Sequence, residues 1–299
     1  MKKIIKRKNL TWIDIVKPDE SDIEYLIKNF KIDSLTAKTI IPSIHYPDLD
    51  SFKNYLFIIL HYPHCGENNE IKIREFDIVA GKNFLITSRY DEIAPLRSVF
   101  TEWEKPNAVA EKETGYLLFL VLNTFLKDVL EKVNGIAAEI DEVEEKIFTG
   151  KEQELIREIT ALKMRIIDLW RIVEPQRMIF DSLRSAGTQF FGTEYRHYYS
   201  ILFRMHRRIE NSLKNAKETV EALEETSHFL VSLKMNEIIK ILTLSSVIFL
   251  PLTLLASIWG MNTNFLPFQK SGYDFFLVIL IMTATFGGMF AIFKHKKWI

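Results

Sequence analysis

Two apolar runs close the chain, at 241–259 and 275–293, and neither contains a charged residue. Each is about 19 residues, near the ~20 needed to cross a ~30 Å hydrocarbon core. The pattern predicts two transmembrane helices joined by a short loop, 261–274. The other reading, a buried helical hairpin, would need two uncharged runs of spanning length in one soluble core. Upstream, from 193 to 259, apolar and polar positions keep helical spacing with no stop signal except Pro251. One helix over that stretch would be about 100 Å long at ~1.5 Å per residue. Its first two-thirds are charged and its last third is apolar, so it is expected to run from water directly into a membrane. A helix this long seldom stands alone, so it is expected to pack against copies of itself.

The rest of the chain changes character at Pro106. Beyond it, 113–148 and 152–185 are charged and apolar-periodic, broken at Thr149-Gly150, which predicts a helical hairpin. Gly187 and Gly192 punctuate the loop expected next. Before it, 19–29 has helical spacing and Asp33 is placed to cap a second helix, 34–41. Apolar and aromatic runs at 55–61, 71–79 and 83–88 read as strands. Gly66-Glu67-Asn68-Asn69 and Ala80-Gly81-Lys82 supply the turns. The predicted organisation is an α/β domain (1–105), a long helical hairpin (106–192), a stalk helix (193–240) and a two-helix membrane domain (241–299).

Charge adds orientation. Basic and acidic residues balance at 39 each, so there is no global basic signature for nucleic acid. The first residues, Met1-Lys2-Lys3-Ile4-Ile5-Lys6-Arg7-Lys8, are basic but lack the apolar stretch of a signal peptide. Lys234 and Lys240 precede the first apolar run, Lys294, Lys296 and Lys297 follow the second, and the connecting loop holds only Lys270. Positive charge favours the cytoplasmic side, so both termini are expected inside. A single cysteine, Cys65, excludes an intramolecular disulfide.

Candidate chemistry sits on the first apolar run. At ~100° per residue, Ile239, Leu242, Ser246, Leu250, Thr253, Ser257 and Gly260 fall on one face, with Asn236 and Thr243 at its edge. Steps of three and four suit packing around a central axis. Hydroxyls can touch a hydrated ion without stripping its water, while Leu242 and Leu250 would form apolar constrictions that gate by dewetting. On spacing alone, the same hydroxyls serve equally as helix-packing contacts.

Weaker candidates lie elsewhere. His61-Tyr62-Pro63-His64-Cys65 groups metal-capable side chains but lacks a second pair at zinc-site distance. Arg204, His206, Arg207 and Arg208 make a basic cluster, read as a solvated or acid-paired face. Glu139, Asp141, Glu142, Glu144 and Glu145 make an acidic strip, either a solvated face or a surface that attracts cations. No glycine-rich phosphate loop and no nucleophile–base pair points to an enzyme.

The residues around the loop carry a resemblance. Met235-Asn236-Glu237, Lys240-Ile241-Leu242-Thr243, Pro251-Leu252-Thr253, Trp259-Gly260-Met261-Asn262, Gly272-Tyr273 and the closing Lys296-Lys297-Trp298-Ile299 follow one another. This resembles the CorA family of divalent-cation (magnesium/cobalt) transporters, whose hallmark is Gly-Met-Asn at the end of the first transmembrane helix. The similarity extends more faintly to Trp12-Ile13-Asp14, Tyr55-Leu56-Phe57-Ile58 and Phe84-Leu85-Ile86-Thr87. It implies an α+β cytoplasmic domain in α/β/α layers, a long stalk helix, two C-terminal transmembrane helices and a funnel-shaped homopentamer in a prokaryotic cell (inner) membrane. It further implies a pore on the face named above, with Gly260, Met261 and Asn262 as the filter. Asn262 would hold a hydrated cation at the external mouth. Mg²⁺ gives up water reluctantly, and amide oxygens accept hydrogen bonds from its hydration shell. No cofactor is implied, only the transported ion.

Two departures from the family pattern bear on selectivity and control. The acidic Met-Pro-Glu-Leu-like loop of many members reads here Asn264-Phe265-Leu266-Pro267-Phe268-Gln269-Lys270. The missing carboxylates leave room for the related ZntB-type zinc transporters, proton-coupled or not. A non-conducting membrane-anchored sensor or scaffold is the alternative of a different class. In the stalk, Ile201 and Arg204 stand where family members carry the carboxylates of an inter-subunit magnesium sensor. Neither supplies the oxygen ligands a hard cation prefers, so that bridge is expected to be absent.

Overall fold

The computed structural model describes residues 2–7, 10–41, 45–66, 70–105, 113–148, 152–261 and 273–298. The chain divides into two compact units, Met1–Ser227 and His228–Ile299. In the first, six strands form one sheet: β1 (Lys2–Arg7), β2 (Leu10–Val16), β3 (Asp48–Ser51), β4 (Tyr55–Cys65), β5 (Ile71–Gly81) and β6 (Phe84–Arg89), in the order β1-β2-β6-β5-β4-β3. Only the β2–β6 pair is parallel. The three strands read from sequence are all present, with β4 four residues longer than the 55–61 run; β1, β2 and β3 are additional.

Side chains alternate across a strand, and here both faces are apolar. One carries Ile13, Ile15, Phe57, Ile59, Val79 and Ile86 against α1 (Glu20–Phe30) and α2 (Ser34–Thr39). Asp19 caps α1 with a reciprocal capping box, and Asp33 caps α2. The other face presents Trp12, Leu60, Tyr62 and Phe76. Trp12 meets Phe100 and Trp103 of α3 (Ala94–Glu104), with centroids 4.8 and 6.3 Å away. Tyr62 and Phe76 meet Phe125 of α4 (Thr114–Lys146). The result is the α/β/α layering expected.

The helical hairpin differs from the sequence reading. The helix predicted over 152–185 is two helices, α5 (Glu152–Val173) and α6 (Arg177–Phe191), separated by a 3₁₀ turn at Glu174–Gln176. Pro175 explains the break, since it has no N–H to donate and its ring crowds the preceding turn. Side chains take over the freed carbonyls. Gln176 Nε2 donates to Ile172 O (2.7 Å), and the His206 Nε2 lies 2.9 Å from Val173 O. Gln176 also clasps β4, donating to His61 O (3.0 Å) and accepting from His61 N (3.3 Å). β3 pairs with β4 only as far as Ile59, so a side-chain amide replaces the missing strand neighbour.

Gly187 is not in a loop. It lies inside α6, where a Cβ would come within 2.6 Å of the Tyr199 ring. Gly192 does end that helix, at φ 129, a region L side chains avoid. Residues 149–151, the predicted hairpin turn, and Pro106 lie outside the described residues.

From Arg196 to Trp259 the chain is one 64-residue helix, α7. Glu210 is buried on it, and so is a row formed by Tyr199, Leu202, His206, Ile209, Leu213, Ala216, Val220, Leu223 and Ser227. They alternate steps of three and four, as a sustained packing seam requires. After Ser227 nothing on α7 is buried. In the second unit α8 (Asp274–His295) follows. The final stretch of α7 and α8 are both long and apolar enough to cross a membrane, and no residue of the most apolar window of either is buried.

Two buried polar groups hold the first unit at defined points. Asp14 of β2 accepts from Arg89 Nη2 (2.9 Å) and Thr87 Oγ1 (2.9 Å) of β6. Removing one partner of a buried pair leaves an uncompensated charge. Asp14→Ala is therefore expected to cost about 3–5 kcal/mol, measured by unfolding of the full chain in detergent. A loss below about 1 kcal/mol would exclude a structural role for the pair.

His206 is buried against Phe180, ring centroids 4.9 Å apart. Burial lowers its pKa, outweighing the hydrogen bond to Val173 O and the nearby Glu210, which act the other way. His61 is likewise lowered by burial, against the pull of the His45 carbonyl and Glu75. A histidine held neutral by the fold binds its proton more readily when unfolded. Stability is then full above the unfolded value of about 6.5 and falls as pH drops through it. The slope is at most about 1.4 kcal/mol per pH unit for each proton. Melting curves between pH 7.5 and 5 should show this loss, and His206→Phe should flatten it; an unchanged slope in the variant would refute the assignment.

Candidate functional site in the membrane segment

The face predicted from spacing is laid out on α7 as a continuous open stripe. Ile239, Leu242, Ser246, Leu250, Thr253 and Ser257 are all exposed, as are Asn236 and Thr243 at its edge. Leu242 and Leu250 are 67% and 70% exposed. The half-covered residues of the same segment are Leu244, Ile248, Pro251, Leu252, Leu255 and Trp259. Averaged at ~100° per residue, the two stripes point roughly 170° apart. On α8, Leu277, Val278, Ile281, Met282, Thr285 and Met289 are half-covered. On each of the two helices the half-covered positions fall on one face. The predicted ion-facing stripe lies on the opposite, exposed side, with Val247, Phe249 and Leu254 exposed beside it.

Three of its hydroxyls are already oriented. Thr243 Oγ1 donates to Ile239 O (2.8 Å), Ser246 Oγ to Leu242 O (2.9 Å) and Thr253 Oγ1 to Phe249 O (2.8 Å). A hydroxyl has one proton and two lone pairs. With the proton turned back onto the helix, the lone pairs are left as acceptors. Water bound to a cation points its hydrogens outward and needs such acceptors. Ser245 Oγ makes the same back-bond to Ile241 O (2.9 Å) but lies off the stripe. Helical spacing gives the position of these hydroxyls, not the direction of their protons.

α7 ends at Trp259, and Gly260 N still donates to Ala256 O (2.9 Å). A Cβ on Gly260 would sit 3.1 Å from that carbonyl, a tight contact. Met261 is exposed. Asn262 and the rest of the loop through Gly272, including Phe268 and Lys270, lie outside the described residues.

The other candidates resolve individually. His61 is buried in β4, with Nε2 2.8 Å from His45 O, and His64 and Cys65 continue the strand. The basic cluster divides. His206 is in the core, a correction to the solvated-face reading, because its step from Leu202 and to Ile209 keeps it on the buried seam of α7. Arg207 pairs with Glu210 at 2.9 Å, and Arg204 and Arg208 are exposed. Ile201 is half-buried. In the acidic strip, Glu139 pairs with Arg165, while Asp141, Glu142, Glu144 and Glu145 are exposed. Glu139 and Glu142 line an open cleft of about 520 Å³ with Glu158 and Asp168, where Arg165 and Lys146 offset part of the negative charge. Among the described residues no cluster of three or more His, Cys, Asp or Glu is arranged to hold a metal ion.

Comparison with known proteins bears on the family and the fold. A cobalt/magnesium transport protein CorA of Thermotoga maritima is 26% identical over 293 residues, covering 97% of this chain and 83% of that protein. The complete structure of the CorA magnesium transporter from Methanocaldococcus jannaschii superposes with a TM-score of 0.86 at 23% identity, over 99% of this chain and 93% of that one. The ZntB cytoplasmic domain from Vibrio parahaemolyticus matches with a TM-score of 0.65 at 13% identity, over 76% of this chain and 89% of that one. The profile of the CorA-like Mg²⁺ transporter protein family matches residues 7–295; with a full-length fold match and two apolar C-terminal helices, the chain belongs to the CorA family of membrane metal-ion transporters.

Proposed function

We propose that this protein carries divalent cations, magnesium foremost, through a pore lined by the open stripe of α7. Five copies of α7 surround it in a homopentamer, both termini are cytoplasmic, and Asn262 with Gly260 and Met261 forms the external filter. The observation that carries the reading is the exposed stripe itself: hydroxyl acceptors alternating with leucines, opposite the half-covered face of α7. An ion that keeps its water needs acceptors rather than ligands. Residues 238–261 contain no His, Cys, Asp or Glu. Zinc sites are built from nitrogen and sulfur donors, which favours magnesium over the zinc alternative. Transport is passive. Moving a divalent cation through 100 mV is worth about 4.6 kcal/mol, twice the unit-charge value.

Uptake of Mg²⁺, Co²⁺, Ni²⁺ and Zn²⁺ into proteoliposomes tests this. Magnesium flux that follows the membrane potential supports the proposal. Zinc flux that stops when a proton gradient collapses supports the ZntB-like alternative, and no flux at all supports a sensor.

Asn262→Ala should reduce magnesium uptake roughly tenfold or more. A hydrogen bond to a charged group contributes about 1.5–3 kcal/mol, and the substitution removes one acceptor from every subunit. Oligomer assembly, read by size-exclusion chromatography, should be unaffected. Normal uptake would sink the filter assignment.

Leu250 forms a dry ring in this arrangement, and hydrophobic constrictions gate by dewetting. Leu250→Ser should raise basal ion current across a planar bilayer. Lower current with unchanged thermal stability would mean that Leu250 is not in the gate.

A further inference from the structure

The C-terminal end of α8 is a built turn. Lys297 N donates to Lys294 O (3.1 Å) and Trp298 N to Phe293 O (3.0 Å), while Lys297 takes a left-handed conformation at φ 56. These two bonds and that conformation define a Schellman closure. Its hydrophobic contact is present too: the Trp298 ring lies on Phe293 with centroids 5.8 Å apart and planes 20° from parallel. Phe293 is thereby buried, at 7% exposure, in a segment where most apolar side chains are open. Lysine occupies the position that usually goes to glycine. Lys296 Nζ sits 5.5 Å from the Trp298 ring.

The turn therefore fixes a composite surface. Lys294, Lys296 and Lys297, with His295, surround the helix end, and no acidic residue occurs from Phe275 to Ile299. An indole is seated at the last turn of an apolar span, the level where aromatic side chains settle at a bilayer boundary. Long basic side chains there keep their stems in the apolar layer and reach outward with their charge. An anion held here meets cations on one side and an aromatic, apolar wall on the other. A free inorganic anion gains nothing from the wall, whereas a lipid uses both.

We propose that this C-terminal turn binds the headgroup of a net-negative phospholipid, with Lys294, Lys296 and Lys297 supplying charge and Trp298 packing at the glycerol level. The inference needs α8 to span a bilayer but does not depend on which ion the protein carries.

The test uses the full-length protein in detergent, titrated with phosphatidylglycerol, phosphatidylcholine or inorganic phosphate, with bound lipid counted by native mass spectrometry. A lysine near an anionic surface contributes about fivefold in binding. Lys297→Gly, which keeps the left-handed turn, should weaken phosphatidylglycerol about fivefold. The triple variant Lys294→Gln, Lys296→Gln, Lys297→Gly should weaken it about a hundredfold, with phosphatidylcholine binding and melting temperature unchanged. Equal binding of the two lipids by the parent protein would overturn the proposal, leaving the lysines only the role of orienting the helix. So would an undiminished preference in the triple variant, or full competition by millimolar inorganic phosphate. Trp298→Ala should weaken both lipids; if it weakens neither, the indole has no part in the site.

Discussion

Hydrocarbon offers no hydrogen-bond partner, and that constraint shapes the membrane half of this protein. Every backbone N–H and C=O in a spanning segment must be satisfied within the protein. The final stretch of α7 meets this as one helix, except at Pro251, which has no N–H to donate to Val247 O. Its hydroxyls obey the same rule by donating to carbonyls four residues back. The cost of a polar side chain in lipid is thereby reduced, and the leftover lone pairs become the acceptors that an ion's water shell requires. In the proposed pore, polar satisfaction and ion passage would be served by the same atoms.

The first unit answers the opposite problem, burying polar groups beside a sheet that is apolar on both faces. It does so in part with a few side chains that bond across elements. Asp14 takes hydrogen bonds from both Arg89 and Thr87, and the Trp12 indole in turn donates to Thr87 Oγ1 at 3.2 Å. Gln176 uses both ends of its amide on one strand residue. His206 closes the carbonyl freed before Pro175. Each group removes a penalty of about 1–3 kcal/mol for an unsatisfied buried polar atom. The buried seam of α7 runs through this region, so His206 both completes the end of α5 and fixes the register of α7 against it.

How much of this was legible in the sequence follows from the length scale of each signal. The apolar runs and the 64-residue helix announce themselves through composition over many residues. The three central strands are dense enough in β-branched and aromatic side chains to stand out. β1 and β3 are short edge strands with mostly polar side chains, Lys2-Lys3 and Asp48-Leu49-Asp50-Ser51, and pairing with a neighbour makes them strands where composition does not. β2 is hidden differently: Asp14 interrupts its apolar run, and only Arg89, 75 residues away, makes a buried aspartate there acceptable. The break at Pro175 was readable from proline chemistry alone, but the periodicity continues across it and masks it. Gly187 looks like a loop residue because glycine usually is one; its reason is the Tyr199 ring, which no local pattern reveals. On the site, helical spacing named the residues of the stripe, while the proposed filter at Asn262 rests on the resemblance alone.

If the stripe lines the pore as proposed, its absence of charge has a consequence for selectivity. A carboxylate in a dry pore would bind a bare divalent cation too well to release it, since attraction between charges rises steeply as the dielectric falls. Neutral acceptors interact with the water shell and leave the metal's own coordination intact. Discrimination then follows the size and firmness of that shell rather than the softness of the metal. Mg²⁺ holds octahedral water most firmly among the common biological divalent cations and dehydrates reluctantly. Metals that exchange water for nitrogen or sulfur find no such donors between residues 238 and 261. A stripe made of Ser, Thr and Leu is therefore suited to a hydrated ion by what it lacks as much as by what it presents.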